Sequence, residues 1–224
     1  MPATRSAYGW VLPASDRHFP KYLATAPKVE GRRMYQSQHI QQSVQFCALR
    51  RTALDVGGHV GFWSYYLALA FQRVHAFEPN ELFAQCFERN VRAKNVTLHR
   101  VALGETARRI SLNVDPENTG ATHVQLEGEG TIPMRRLDDF ALDDVDFIKI
   151  DVEGFERQVL EGARDTLARC RPVVIIEQKE FAGRYGTEQY AAAELLQSLG
   201  ASVLMQVVKD LVFAWPGSPV LGQQ

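Results

Sequence analysis

The sequence predicts a doubly wound α/β domain whose sheet is mostly parallel and finishes with an antiparallel hairpin. Three observations predict it. Apolar, strand-like runs alternate with amphipathic segments from Leu54 onward, a glycine-rich turn follows the first run, and only Lys209-Asp210 separates the last two runs. That gap is too short for a parallel crossover, so Ala201 to Val208 and Leu211 to Trp215 are expected to pair antiparallel.

Residues 1–51 read as an accessory cap and residues 52–224 as the main domain. In the cap, Pro2, Pro13, Pro20 and Pro27 interrupt any long helix until one is expected over Ser37 to Leu49. Ala53 to Val56 is the first strand, Gly57-Gly58-His59-Val60-Gly61 the turn, and Phe62 to Phe71 the helix it opens. Val74 to Phe77 is the second strand. Pro79 then sits at a helix start, and Asn80 to Lys94 carries Leu82, Phe83, Cys86 and Phe87 at helical spacing. Val96 to Leu103 is expected as a third strand, with extra strands or a hairpin from Ile110, Leu112 and Val114 and from Ala121 to Leu126. Val145 to Val152 is the fourth, and a helix over Phe155 to Ala168 shows an apolar residue every four positions. Val173 to Ile176 is continuously apolar, as in a strand covered on both faces, and a helix over Thr187 to Leu199 precedes the hairpin.

Composition narrows the class. With 224 residues, 46% hydrophobic and 23% charged, the chain can bury a large core without disulfides or metal. The 25 basic residues nearly balance the 26 acidic ones, so no general attraction to nucleic acid is expected. The pairs Arg32-Arg33, Arg50-Arg51, Arg108-Arg109 and Arg135-Arg136 are either solvated surface charge or a local patch for an anionic substrate. Cys47, Cys86 and Cys170 are odd in number, scattered and without metal-type spacing, which fits a reducing compartment. The first twenty residues lack a signal pattern, and Phe62 to Phe71 is too short to span a bilayer. The expectation is a cytoplasmic protein without a membrane span.

Three clusters carry chemistry. In Asp55-Val56-Gly57-Gly58-His59-Val60-Gly61 a carboxylate ends a strand, and the glycines let a ligand approach the backbone closely. The glycine spacing is not the G-x-G-x-x-G of a nicotinamide dinucleotide site, and Asp55 would repel a pyrophosphate while favouring a cationic cofactor. Phe77-Glu78-Pro79 ends the second strand, where Glu78 either accepts from both hydroxyls of a ribose or merely complements the helix start. In Ile148 to Glu156, strand alternation sets Lys149, Asp151 and Glu153 on one face near the carboxyl edge, as a reaction centre or as a structural ion pair, and Glu177 ends the next strand towards the same crevice.

Together these pieces resemble the FkbM family of S-adenosylmethionine-dependent methyltransferases. The resemblance rests on Asp55 through Gly61, Phe77-Glu78-Pro79, Ile148 to Gly154 with Glu156, Val159-Leu160-Glu161-Gly162-Ala163 and Pro172 to Glu177. It implies a class I methyltransferase (Rossmann-like) fold and S-adenosyl-L-methionine as cofactor. It further implies cofactor contacts from Asp55, the Gly57 to Gly61 turn, Glu78 with Pro79, and the backbone near Ala102, with Asp151 beside the methyl group. Family members commonly methylate hydroxyls of sugars and polyketides, so a small-molecule or carbohydrate hydroxyl is the expected acceptor. Asp151, Glu153 and Glu177 are the candidate catalytic residues, with Asp151 the base for an in-line displacement. A variant uses the same three as oxygen ligands of a divalent ion, though no metal-specific spacing supports it. A non-catalytic module of the same fold stays open, and a nicotinamide-dependent oxidoreductase is disfavoured.

Overall fold

The computed structural model describes residues 3–177 and 180–218. At its centre lie seven strands: β1 (Thr52–Val56), β2 (Arg73–Phe77), β3 (Val96–His99), β4 (Val145–Ile150), β5 (Val173–Glu177), β6 (Ser202–Val207) and β7 (Asp210–Ala214). Their spatial order is β6-β7-β5-β4-β1-β2-β3, and β7 alone runs against its neighbours. The expected parallel sheet with a terminal hairpin is therefore present. The chain leaves β1 for β2 and β3, then returns to β4 on the other side of β1. The carboxyl ends of β1 and β4 thus flank the switch point, where open α/β sheets bind ligands.

Both sheet faces are covered. Leu54, Val56, Ile148 and Ile150 enter one core, whereas Ala53, Phe147, Val173 and Ile175 enter another. Two-sided burial is why these strands read as apolar runs. The same alternation carries Asp55 and Lys149 to the second face as directly paired residues, so each charge must find a partner there.

Helices α1 (Phe62–Ala70), α2 (Glu81–Asn90), α3 (Glu156–Glu161), α4 (Arg164–Cys170) and α5 (Ala191–Ser198) connect the strands. Asn80 caps α2, its side chain accepting from the N–H groups of Leu82 at 3.0 Å and Phe83 at 3.2 Å. Two expected elements divide. The third strand stops at His99, and Ala102–Leu103 joins a separate four-stranded sheet with Arg108–Asn113, His123–Gln125 and Ile132–Arg135. The expected helix over 155–168 becomes α3 and α4 because Gly162 lies against the Gly104 carbonyl, 2.0 Å from where a Cβ would stand. The helix expected over 187–199 is shorter, beginning at Ala191, and that over 37–49 ends at Val44.

The cap is more ordered than its prolines suggest. It contains a hairpin of Thr4–Ala7 with Trp10–Pro13, a helix over His18–Leu23, a two-residue hairpin of Lys28–Val29 with Arg32–Arg33, and a helix over Ser37–Val44. Trp10, Leu12, Phe19, Leu23, Met34 and Ile40 are buried in the same core as Phe62, Trp63 and Phe147. Asn90 of α2 clasps the first hairpin, accepting from the Val11 N–H at 2.7 Å and donating to the Val11 carbonyl at 2.9 Å.

Candidate functional site

A cavity of about 350 Å³ opens at the switch point, within the usual range for a small-molecule site. Its floor is the turn after β1. Gly57 has φ +78, and a Cβ there would stand 2.0 Å from the Asp151 carbonyl oxygen, so only glycine fits between the two strand ends. The N–H groups of Gly57 and Gly58 donate to the Phe77 carbonyl at 3.1 and 3.0 Å, tying the turn to β2. His59 follows in left-handed backbone with φ +48, uncommon for a residue with a Cβ and typical of functional turns.

Lys149 locks this floor from beneath. Its ammonium donates to the carbonyls of Gly57 at 2.7 Å and Val56 at 3.2 Å, and lies 3.2 Å from Asp55 and 4.0 Å from Asp151. Burial opposes the charge, but Asp55 and Asp151 outweigh it and hold the ammonium above its ordinary range. Asp55, fully buried, also accepts from the Ser64 hydroxyl at 2.6 Å. Asp55 is thus a buttress for the turn and does not line the cavity, nor do Val60 and Gly61. Val60 is a core side chain, and Gly61 leaves room for Val91 and Phe87.

Glu78, immediately after β2, lines the cavity with Pro79, Ala102 and the turn residues Gly57, Gly58 and His59. Its carboxylate accepts from the His59 N–H at 2.8 Å and the Asn80 N–H at 2.7 Å. Burial dominates its titration and raises the pKa to about 7, despite those hydrogen bonds. Glu78 thus both braces the start of α2, through the Asn80 N–H, and lines the cavity.

Asp151, Glu153 and Glu177 meet on the opposite wall, each offering an oxygen within 4.8 Å of the others'. Strand alternation accounts for Lys149 and Asp151, but β4 ends at Ile150. Glu153 reaches the wall through a left-handed turn with φ +57. That turn is pinned by Glu156, which accepts from the Val152 N–H at 3.2 Å and the Gly154 N–H at 3.1 Å. Burial raises Glu156 to about 7 as well.

Residues not singled out from sequence complete the enclosure. His18, Phe19 and Tyr35 come from the cap, and Asn118 to Gly120 with Thr122 to Val124 lie around the His123–Gln125 strand. The aromatic spacing of the cap carried no ligand signal. The one local cue is Asp16 ahead of a short helix, whose carboxylate accepts from the Phe19 N–H at 2.8 Å.

The model of the Methyltransferase FkbM domain matches residues 55–203, more than half of the chain. A curated relative described as Methyltransferase 1, from Beauveria bassiana (strain ARSEF 2860), is 26% identical over 185 residues, covering 68% of this chain and 73% of its own. Among solved structures, a methyltransferase FkbM from Methylobacillus flagellatus KT aligns with a TM-score of 0.51 at 20% identity, over 88% of this chain and 50% of its own. The chain thus spans half the length of that protein. A putative methyltransferase from Streptococcus mutans, solved in complex with SAH, aligns with a TM-score of 0.51 at 9% identity, over 79% of this chain and 95% of its own. At these identities the likeness establishes the class I methyltransferase fold.

Proposed function

Because the chain belongs to the FkbM methyltransferase family, we propose that it uses S-adenosyl-L-methionine to methylate a hydroxyl of a sugar, glycan or other hydroxylated small molecule. The observation that carries this reading is the cavity at the switch point, with Glu78 on one wall and Asp151, Glu153 and Glu177 on the other. The donor set fits that cofactor. Glu78 offers acceptors for ribose hydroxyls, the Gly57-Gly58-His59 turn a close backbone approach, and Pro79, Phe83, Ala102 and Leu103 a surface for the base. Bound there, the cofactor supplies an electrophilic methyl group on a sulfonium.

The chain's own residues then hold and deprotonate the acceptor. An alcohol is a weak nucleophile, so Asp151 would accept its proton as the C–O bond formed and the sulfur–methyl bond broke, the demethylated thioether being the leaving group, while the rigid ends of β1 and β4 would keep donor and acceptor in line. Lys149, 4.0 Å away, favours the ionised carboxylate before transfer. Glu153 and Glu177 flank the same point. The approach of three carboxylate oxygens to within 4.8 Å also supports a second reading, in which they bind a divalent ion that orients the acceptor. No helix among the described residues is long and apolar enough to cross a membrane. The unlinked thiols of Cys47, Cys86 and Cys170 support a reducing, cytoplasmic setting.

The test joins calorimetry to a methyl-transfer assay over sugars, glycolipids and small hydroxylated metabolites. Micromolar-range binding of the cofactor or its demethylated product, and transfer to a hydroxyl, are expected. Absence of both, with stabilisation by a nicotinamide nucleotide instead, overturns the proposal.

A further inference from the structure

The cap and the segment leading into the His123–Gln125 strand are pinned to each other at the cavity and form its roof. The Glu117 carbonyl accepts from the N–H groups of Arg17 at 2.9 Å and His18 at 3.2 Å. Asp16, fully buried, accepts from the Thr119 N–H at 2.9 Å. The strand is tied in turn to the carboxylate wall. The Tyr185 hydroxyl donates to the Val124 carbonyl at 2.9 Å, and its ring packs on Phe155, centroid to centroid 4.8 Å, just past the turn that carries Glu153. Residues 117–124 therefore hold a fixed place beside the proposed reaction centre.

Two half-buried side chains of this roof line the cavity with polar atoms that no protein group engages. The Nδ1 of His123 lies 3.0 Å from the Ala121 carbonyl. A carbonyl only accepts, so Nδ1 carries the proton and, in the neutral ring, Nε2 carries the lone pair. That Nε2 keeps accessible surface and has no hydrogen-bond partner among the described residues. Asn118 is held through its main chain, its N–H donating to the Asp115 carboxylate at 3.1 Å and its carbonyl accepting from the Ala121 N–H at 2.9 Å. Its amide side chain is left to the cavity, accessible and without a partner among the described residues. One lone pair on an imidazole and one amide make an uncharged set of acceptors and donors, which suits hydroxyl groups.

We propose that His123 Nε2 and the Asn118 amide bind the methyl acceptor, His123 accepting a hydrogen bond from a second hydroxyl that is not the one methylated. The acceptor is then a polyol of the sugar kind, and a lone alcohol or phenol is a poor substrate. This rests on the methyl-transfer reading above and narrows its substrate. The cofactor contacts in that reading come from the ends of β1 and β2 and from Ala102 and Leu103, so the roof is left to the other reactant. Asp151 keeps the role of base, and His123 orients without taking a proton.

The test uses the full chain with S-adenosylhomocysteine bound, titrated with the methyl glycosides of glucose, mannose and rhamnose and, for comparison, with cyclohexanol and phenol. In ¹⁵N spectra the His123 ring should carry its proton on Nδ1, and its Nε2 resonance should move with at least one glycoside and with neither mono-hydroxylated probe. His123→Phe and Asn118→Leu should each weaken binding of that glycoside by about 10-fold or more, the loss expected for a hydrogen bond to a neutral group. Both variants should bind S-adenosylhomocysteine within about 2-fold of the parent protein, which also shows that they are folded. In the transfer assay they should raise KM for the glycoside and leave kcat within a few-fold, because the base is untouched. A response to cyclohexanol or phenol equal to that of the glycosides, or no response to any of the five, overturns the inference. So does parental glycoside binding in both variants, or a loss of S-adenosylhomocysteine affinity in either, which would assign the roof to the cofactor. A parent protein that does not bind S-adenosylhomocysteine overturns the methyl-transfer reading and this inference with it.

Discussion

Cofactor affinity should rise with pH through neutrality, and Glu78 is the reason. Its carboxyl titrates near 7 in the folded protein because it is buried, yet it must be ionised to accept from two backbone N–H groups and from ribose hydroxyls together. A group of that pKa is ionised in roughly a tenth of molecules at pH 6 and roughly nine tenths at pH 8. A ligand that needs the ionised form therefore binds about 10-fold more weakly at pH 6, or about 1.4 kcal/mol. Stability should move the other way. The folded pKa lies above the unfolded value, so the folded state holds the proton more tightly. The resulting stabilisation is present below about pH 4.5 and is lost as pH rises towards 7. Titration calorimetry with S-adenosylhomocysteine between pH 6 and 8 reads the first effect, and urea melts over a wider range read the second. Glu78→Gln should bind more weakly by about 1–3 kcal/mol, since one end of the amide cannot accept, and should lose the pH slope. Glu156→Gln, which changes the other carboxyl titrating near 7, should keep that slope. A flat profile in the parent protein, or an unchanged slope in Glu78→Gln, refutes the reasoning.

Three further outcomes are expected. Gly57→Val should abolish binding and lower stability, because its Cβ would strike the Asp151 carbonyl in a backbone region that β-branched residues avoid, and normal binding would remove the turn from the site. Asp151→Asn should keep cofactor affinity within a few-fold and lower turnover by roughly 10²–10⁴-fold. If the carboxylates instead hold a cation, a chelator should silence the parent protein and Mg²⁺ or Mn²⁺ restore it, whereas parental turnover by Asp151→Asn in both conditions denies either role. Lys149→Met should destabilise by about 3–5 kcal/mol, because it leaves the buried Asp55 carboxylate without its cation. A melting temperature equal to the parent's would show that the pair is dispensable.

Much of the fold was legible because the sheet's signals are local. Two-sided burial writes Val173 to Ile176 as one apolar run, and the two-residue gap after Val208 forces an antiparallel return. The division of 96–103 between two sheets is set by tertiary partners, since His99 pairs with Phe77 and Ala102 with Met134. In the cap, prolines outweighed a readable cue: Tyr8-Gly9 and Glu30-Gly31 are two-residue hairpin turns with both residues of each at positive φ. Within the site, Glu78, Asp151 and Glu177 were found through their places at strand ends. Asp55 was legible as important but not as buried, because only pairing with Lys149 reveals which way its charge is spent. Asp16 and Thr119 lie 103 residues apart, and no pattern along the chain announces their contact.

The placement of Trp10, Leu12 and Phe19 within one core shared with Phe62, Trp63 and Phe147 separates two ideas of a boundary. The match to the family model begins at Asp55, yet the core that buries α1 reaches back to the first hairpin. A chain cut at Thr52 would keep every shared motif while baring one side of α1 and dissolving the clasp on Asn90. Such a fragment would present its apolar face to other copies and precipitate, for want of its own first residues and not of any motif.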